Sequence, residues 1–113
     1  MSLTANPISA DVCASPQLDP SALAEVAAAG FKSVVNNRPD GEGGPEQPTS
    51  ATIEAAAKAA GLVYAYLPVS PAVQTPEQIA EMSGLLATLP RPLLMFCRSG
   101  ARSTKLFHAA QQD

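Results

Sequence analysis

Residues 97–103, CRSGARS, bring together one thiol, two guanidinium groups, two hydroxyls and a glycine within seven positions. They follow the apolar run PLLMF and precede the helix-forming stretch RSTKLFHAAQ, so the thiol falls where a strand gives way to a helix. A glycine in such a turn lets successive backbone N–H groups converge on a common centre. The following helix adds about half a positive charge at its N-terminus. With Arg102 able to fork onto two oxygens, the segment is suited to capturing a tetrahedral or planar oxyanion. Cys97 is then a nucleophile at the floor of an anion trap. The same field favours thiolate over thiol, so Cys97 should titrate below the value of about 8.5 for a free cysteine. Arg98, Ser99, Gly100, Ala101, Arg102 and Ser103 form the anion-binding loop in this reading. Arg98 and Ser99 contribute backbone N–H groups, Arg98 is also a rim charge, and Ser103 either caps the helix or hydrogen-bonds the thiolate.

Few other residues compete for a chemical role. Arg38 and Asp40 in NNRPDGE lie just past a strand's carboxyl end, which brings Arg38 to the substrate rim and makes Asp40 a candidate proton donor. The alternative for both is a Pro-Asp-Gly turn followed by solvated charges. Cys13 and the single histidine, His108, are expected to be a packing or surface thiol and a surface ring. Tyr64 and Tyr66 are expected to serve mainly as packing residues of a strand covered on both sides.

The elements that must position this loop are legible from punctuation. LDPSALAEVAAAGF has Asp19 at an N-cap, Pro20 at the first helical position and Gly30 as a stop. KSVVNN is a short β-branched strand, and RPDGEGGPEQP after it is a loop. SATIEAAAKAAG is a helix ending on Gly61, followed by the strand LVYAYLPV. TPEQIAEMSGLLATLP carries Thr75 and Gln78 at capping-box spacing and Pro76 at the first position. PLLMF is a buried strand, and ADVCAS adds one more short strand. Strands alternating with helices of this length imply right-handed crossovers and a largely parallel sheet, with ligands bound beyond the strands' carboxyl ends.

Length and composition narrow the classes further. A chain of 113 residues is one domain, long enough for a core without disulfides or metal. Two distant cysteines with no His/Cys cluster support neither a disulfide framework nor a zinc site, and no cofactor is expected. A net charge of −3 gives no electrostatic footprint for nucleic acid or an anionic membrane. No apolar stretch approaches the roughly 18 residues of a membrane span, and the N-terminus lacks a leader pattern, so a reduced, cytoplasmic chain is expected. Arg91, Arg98, Arg102 and Lys105 nonetheless cluster after residue 90, where Asp113 is the only acid. An anion should prefer that end.

CRSGARS resembles the active-site loop of rhodanese-type sulfurtransferases, in which a cysteine carries a persulfide. The chain as a whole, from SPQLDPSALAEVAAAGFKSVVNNRPDGE through YLPV to TPEQIAEMSGLLATLPRPLLMFCRSGARS, is similar to the phosphatase-like domain of beta-lactamase-hydrolase-like proteins. That resemblance implies a protein-tyrosine-phosphatase-like, three-layer α/β/α fold with a mainly parallel sheet of four or five strands. It implies either phosphatase or sulfur-transfer activity, and relatives can be fused to a metallo-hydrolase domain. Departures from tyrosine and dual-specificity phosphatases stand out in the loop and in the preceding segment. Phe96 replaces their histidine before the cysteine, and Arg102 follows Cys97 after four residues rather than five. LPVSPAVQTPEQ also offers no carboxylate before Glu77 to protonate a leaving oxygen, a contribution of about 10² to 10⁴ in rate. Sulfur transfer needs no such proton. The sequence therefore tips toward a sulfurtransferase working through a Cys97 persulfide, with a sulfane-sulfur donor and a thiol acceptor. A phosphatase acting on a small phosphate ester through a Cys97 thiophosphate is the alternative, with Asp40 or a good leaving group covering for the acid. A third reading is an anion- or phosphoprotein-binding module without turnover.

Overall fold

The computed structural model describes residues 3–112. Five strands form one sheet: β1 (Asn6–Pro7), β2 (Val12–Ser15), β3 (Ser33–Asn36), β4 (Val63–Tyr66) and β5 (Leu93–Phe96). Their order across the sheet is β1-β2-β5-β3-β4, with β1 antiparallel to β2 and every other pairing parallel. The chain thus has the mixed α/β architecture with a mostly parallel five-stranded sheet. β1, two residues ending in a proline, carries no strand signal in the sequence and is an exposed edge.

Strand β5 is central, as its unbroken apolar run requires. All four of its residues are buried, and it pairs with β2 in the register Val12↔Leu93 and with β3 in the register Ser33↔Leu93. Its alternating side chains feed two cores. Leu93 and Met95 pack with Val12, Val35, Met82, Leu106 and Phe107 on the face covered by α3 (Pro76–Thr88) and α4 (Ala101–Gln111). Leu94 and Phe96 pack with Leu23, Val26, Val34 and Ile53 on the face covered by α1 (Leu23–Ala28) and α2 (Ser50–Ala59). Three layers result.

The caps read from the sequence largely hold. Asp19 accepts from Ser21 N–H, but the turn it starts, Pro20–Ala22, is 3-10, and the α-helix proper begins at Leu23. The Thr75/Gln78 capping box is complete on both sides, and Thr49 caps α2 through Thr52 N–H. Strand β4 departs from expectation because it lies at the sheet's edge, where Val63 is exposed and its other residues are only half-buried. Its tyrosines consequently use their hydroxyls. Tyr64 Oη lies 2.7 Å from Ser50 Oγ and accepts from Asn36 Nδ2 at 3.1 Å, while Tyr66 Oη accepts from Asp40 N–H at 2.8 Å. No helix among the described residues is long and apolar enough to cross a membrane.

Candidate active site

The strand order puts the carboxyl end of β5 between those of β2 and β3, so the segment after Phe96 is flanked by the loops that follow both neighbours. Gln17 N–H donates to Arg98 O at 3.2 Å on one side, and Asn37 N–H donates to Phe96 O at 2.8 Å on the other. Gly100, the N-cap of α4, has φ of 97°. That left-handed conformation turns the chain back on itself and is strained for any residue with a Cβ. The turn brings Gly100 N–H to 3.1 Å from Cys97 Sγ.

Cys97 is 1% exposed and lies in the wall of a cavity of about 360 Å³. Burial pushes its thiol up, but the backbone N–H groups of Ser103, Gly100 and Ser99 together with the Ser103 hydroxyl outweigh burial and hold it below the ordinary thiol range. The hydroxyl of Ser103 has one proton, which goes to Asn37 Oδ1 at 2.8 Å. Main-chain donors therefore carry most of the stabilisation of the thiolate. Ser103 is not the cap that its sequence position suggested, since it sits in the first turn of α4, fully buried, where its hydroxyl also ties the helix to β3's loop. Asn37 completes that tie by donating from Nδ2 to Leu67 O at 3.0 Å.

Arg102 lines the same cavity, as do Arg98, Ser99, Ala101 and Lys105 from the loop and helix. Its guanidinium is not loose. Nη1 and Nη2 donate to Glu42 Oε1 and Oε2 at 2.9 and 3.0 Å, and Nη1 also donates to Val69 O at 3.0 Å. Three of its five donors are thereby fixed, leaving Nε–H and the second Nη2–H side by side as a free fork. Glu42 also accepts from Arg38 Nε at 2.9 Å, so one carboxylate orients two arginines. Its carboxyl is held below the usual carboxylate range, first by the hydrogen bond from Arg102, against a smaller opposing effect of burial.

Glu42 is the residue that sequence reasoning missed. It stands two positions after Asp40, in a stretch read as turn and solvated charge. Asp40 itself is placed elsewhere, because its Oδ1 accepts from Ser50 N–H at 2.7 Å at the start of α2 and it lines neither cavity near Cys97. Arg38 does reach the mouth, where it is 9% exposed and bonded to Glu42 and to Gln17 Oε1. Arg91 does not join the other cations, since it pairs with Asp11 before the start of β5. Cys13 is half-buried and His108 exposed. Among the described residues no group of His, Cys, Asp and Glu could hold a metal ion.

Comparison with known proteins decides among the fold's relatives. Residues 5–113 match the family described as beta-lactamase hydrolase-like protein, phosphatase-like domain. The chain belongs to this family. A beta-lactamase hydrolase-like protein from Agrobacterium fabrum is 38% identical over 82 residues, 73% of this chain and 19% of the relative. The chain thus spans about a fifth of the length of the curated relatives it matches. A candidate phosphatase from Neisseria meningitidis superposes with a TM-score of 0.82 at 27% identity, covering 89% of this phosphatase-like domain and 71% of that chain. The structure of Tk-PTP in its active form shares the fold at a TM-score of 0.64 and 20% identity, covering 96% and 80%. The domain is therefore phosphatase-like in family and in fold.

Proposed function

We propose that this domain is a cysteine-dependent phosphatase. The observation that carries the proposal is the convergence of Gly100 N–H and its neighbouring amides on the Cys97 sulfur, with the oriented guanidinium of Arg102 in the same cavity. Cys97 thiolate attacks phosphorus in line with the departing oxygen, forming an S–P bond as the P–O bond breaks. The loop amides and the free fork of Arg102 hold the non-bridging oxygens, whose charge peaks in the transition state. Water then attacks phosphorus, the S–P bond breaks with its electron pair returning to sulfur, and inorganic phosphate leaves. Release of nitrophenolate from p-nitrophenyl phosphate tests this. Cys97→Ser should abolish turnover, and activity surviving that substitution would remove the proposal.

One feature favours a second reading, sulfur transfer. The cavity at Cys97 is lined by no carboxylic acid, and sulfane-sulfur transfer expels a leaving group that needs no proton. Family membership and fold support the phosphatase instead, which reverses the preference drawn from the sequence alone. Thiocyanate formed from thiosulfate and cyanide, and lost in Cys97→Ser, would restore it. A module that binds phosphate in this cavity and turns over neither substrate is the third outcome those assays separate.

A further inference from the structure

A second cavity of about 430 Å³ adjoins the first. Arg38, Glu42, Gly43, Pro71, Arg98 and Arg102 line it, and Pro71, Arg98 and Arg102 line both. Three arginines thus face one space beside the candidate nucleophile, against a single carboxylate. Arg102 and Arg38 share that carboxylate, while no acid among the described residues pairs with the exposed Arg98. Arg38 keeps free donors on Nη1 and Nη2 after binding Glu42 and Gln17. Gly43 makes room for them, since a Cβ there would stand 2.6 Å from Arg38 Nη2.

The first cavity is lined by no carboxylic acid to protonate a leaving group, and Glu42 cannot stand in for one because two guanidinium groups keep it ionised. A substrate whose leaving group departs as an anion needs no such acid. A neighbouring space lined by three cations is suited to receive such an anion.

Resting on the phosphatase reading above, we infer that the substrate class is a phosphoanhydride. Its terminal phosphoryl group sits over Cys97, and its second phosphate occupies the space between Arg98 and Arg38. Cys97 attacks the terminal phosphorus, the bridging P–O bond breaks, and the electron pair leaves on the second phosphate, which departs as an anion without taking a proton. Water cleaves the thiophosphate as before, so one pyrophosphate and one water give two phosphates, tripolyphosphate and water give pyrophosphate and phosphate, and a proton is released to solvent.

The test compares inorganic pyrophosphate and tripolyphosphate with p-nitrophenyl phosphate, in buffer containing EDTA, in the unaltered protein and in Arg98→Ala, Gly43→Ala and Cys97→Ser. The expected result is a Cys97-dependent kcat/KM at least about 10-fold higher for one of the two anhydrides than for the aryl ester. Arg98→Ala should lower the anhydride value about 10-fold more than the ester value, a difference matching one charge-assisted contact. Arg98 is exposed, so this variant should fold; Gly43→Ala, which crowds Arg38 most closely and Gln47 Oε1 less so, should shift the ratio in the same direction. Cys97-dependent ester hydrolysis with anhydride turnover at or below it would overturn the inference and leave the phosphatase reading standing. Equal losses for both substrates in Arg98→Ala would overturn the second subsite. No Cys97-dependent release from any of the three would overturn both proposals together.

Discussion

Two arginine–carboxylate pairs stand at different places in this domain, and they do different work. Arg91 and Asp11 meet through one contact of 2.8 Å just before β5 and β2 begin, with side chains 31% and 46% exposed. Arg102 and Glu42 meet through two contacts of 2.9 and 3.0 Å beyond the strands' carboxyl ends, with side chains 11% and 19% exposed. The first links the segments that precede two neighbouring strands, while a separate bond from Arg91 Nη2 to Leu86 O fixes the end of α3. The second is bidentate, shared with Arg38, and fixes which edge of a guanidinium faces the cavity. Each pair joins a guanidinium to a carboxylate; burial, fork geometry and shared partners separate a staple from an orienting device.

Removing Glu42 should break that contrast most severely. Glu42→Ala leaves two poorly exposed arginines without their counter-charge, so stability should fall by about 2 kcal/mol, between the values for exposed and buried pairs. The Cys97-dependent kcat/KM should drop about 100-fold as Arg102 loses its fixed orientation. Glu42→Gln, which keeps an acceptor, should recover part of both. Because the carboxyl of Glu42 is depressed in the folded state, its stabilising contribution is present above the ordinary carboxylate pKa and is lost as pH falls through the lowered value. Thermal melts of the unaltered protein and Glu42→Gln should therefore converge in acid, and a constant gap across pH would contradict the role given to the charge.

Ser103→Ala sharpens the division between main-chain and side-chain donors at the sulfur. If backbone N–H groups carry the thiolate, the rising limb of the pH–rate profile should move up but stay below the ordinary thiol range. Stability should fall by about 1 kcal/mol, because buried Asn37 Oδ1 loses its donor. A limb displaced into the range of a free cysteine would transfer the credit to the hydroxyl.

What the sequence made legible follows the same local-versus-distant line. Caps at Asp19 and Thr75, the stop at Gly30 and the apolar run of β5 are signals contained within a few residues, and each element appeared near where it was read. The CRSGAR turn was legible for the same reason. Glu42 was not, because its partner Arg102 lies 60 positions away and only the packing of β3 beside β5 brings their loops together. A carboxylate in a glycine-rich loop after one parallel strand, with an arginine opening the helix after its neighbour, is the signal that would have found it. The edge position of β4 was hidden similarly, since strand order is set by crossovers that no short segment encodes.

Asp40 offers a smaller test within the same loop, two residues from Glu42 but turned toward α2. Asp40→Asn retains an acceptor for Ser50 N–H while removing a charge at a helix start, so the cost should be about 0.5 kcal/mol. Rates for phenyl phosphate and p-nitrophenyl phosphate should keep their ratio within about twofold. Selective loss with the poorer leaving group would return Asp40 to the role of proton donor.

The least consequential change should be at the exposed pair. Asp11→Asn removes one carboxylate whose partner is already satisfied in part, since Arg91 Nη2 keeps its 2.8 Å bond to Leu86 O. Both side chains reach solvent, where water replaces much of what the pair supplies and salt screens the rest. Stability should change by less than about 1 kcal/mol, less still in high salt, and the Cys97-dependent rate should be unaltered. An effect on that rate as large as the one from Glu42 would mean that the two ends of the sheet are coupled through β5. The contrast drawn from burial and fork geometry would then fail, because a single monodentate contact far from the cavity would be orienting the chemistry as strongly as the buried fork.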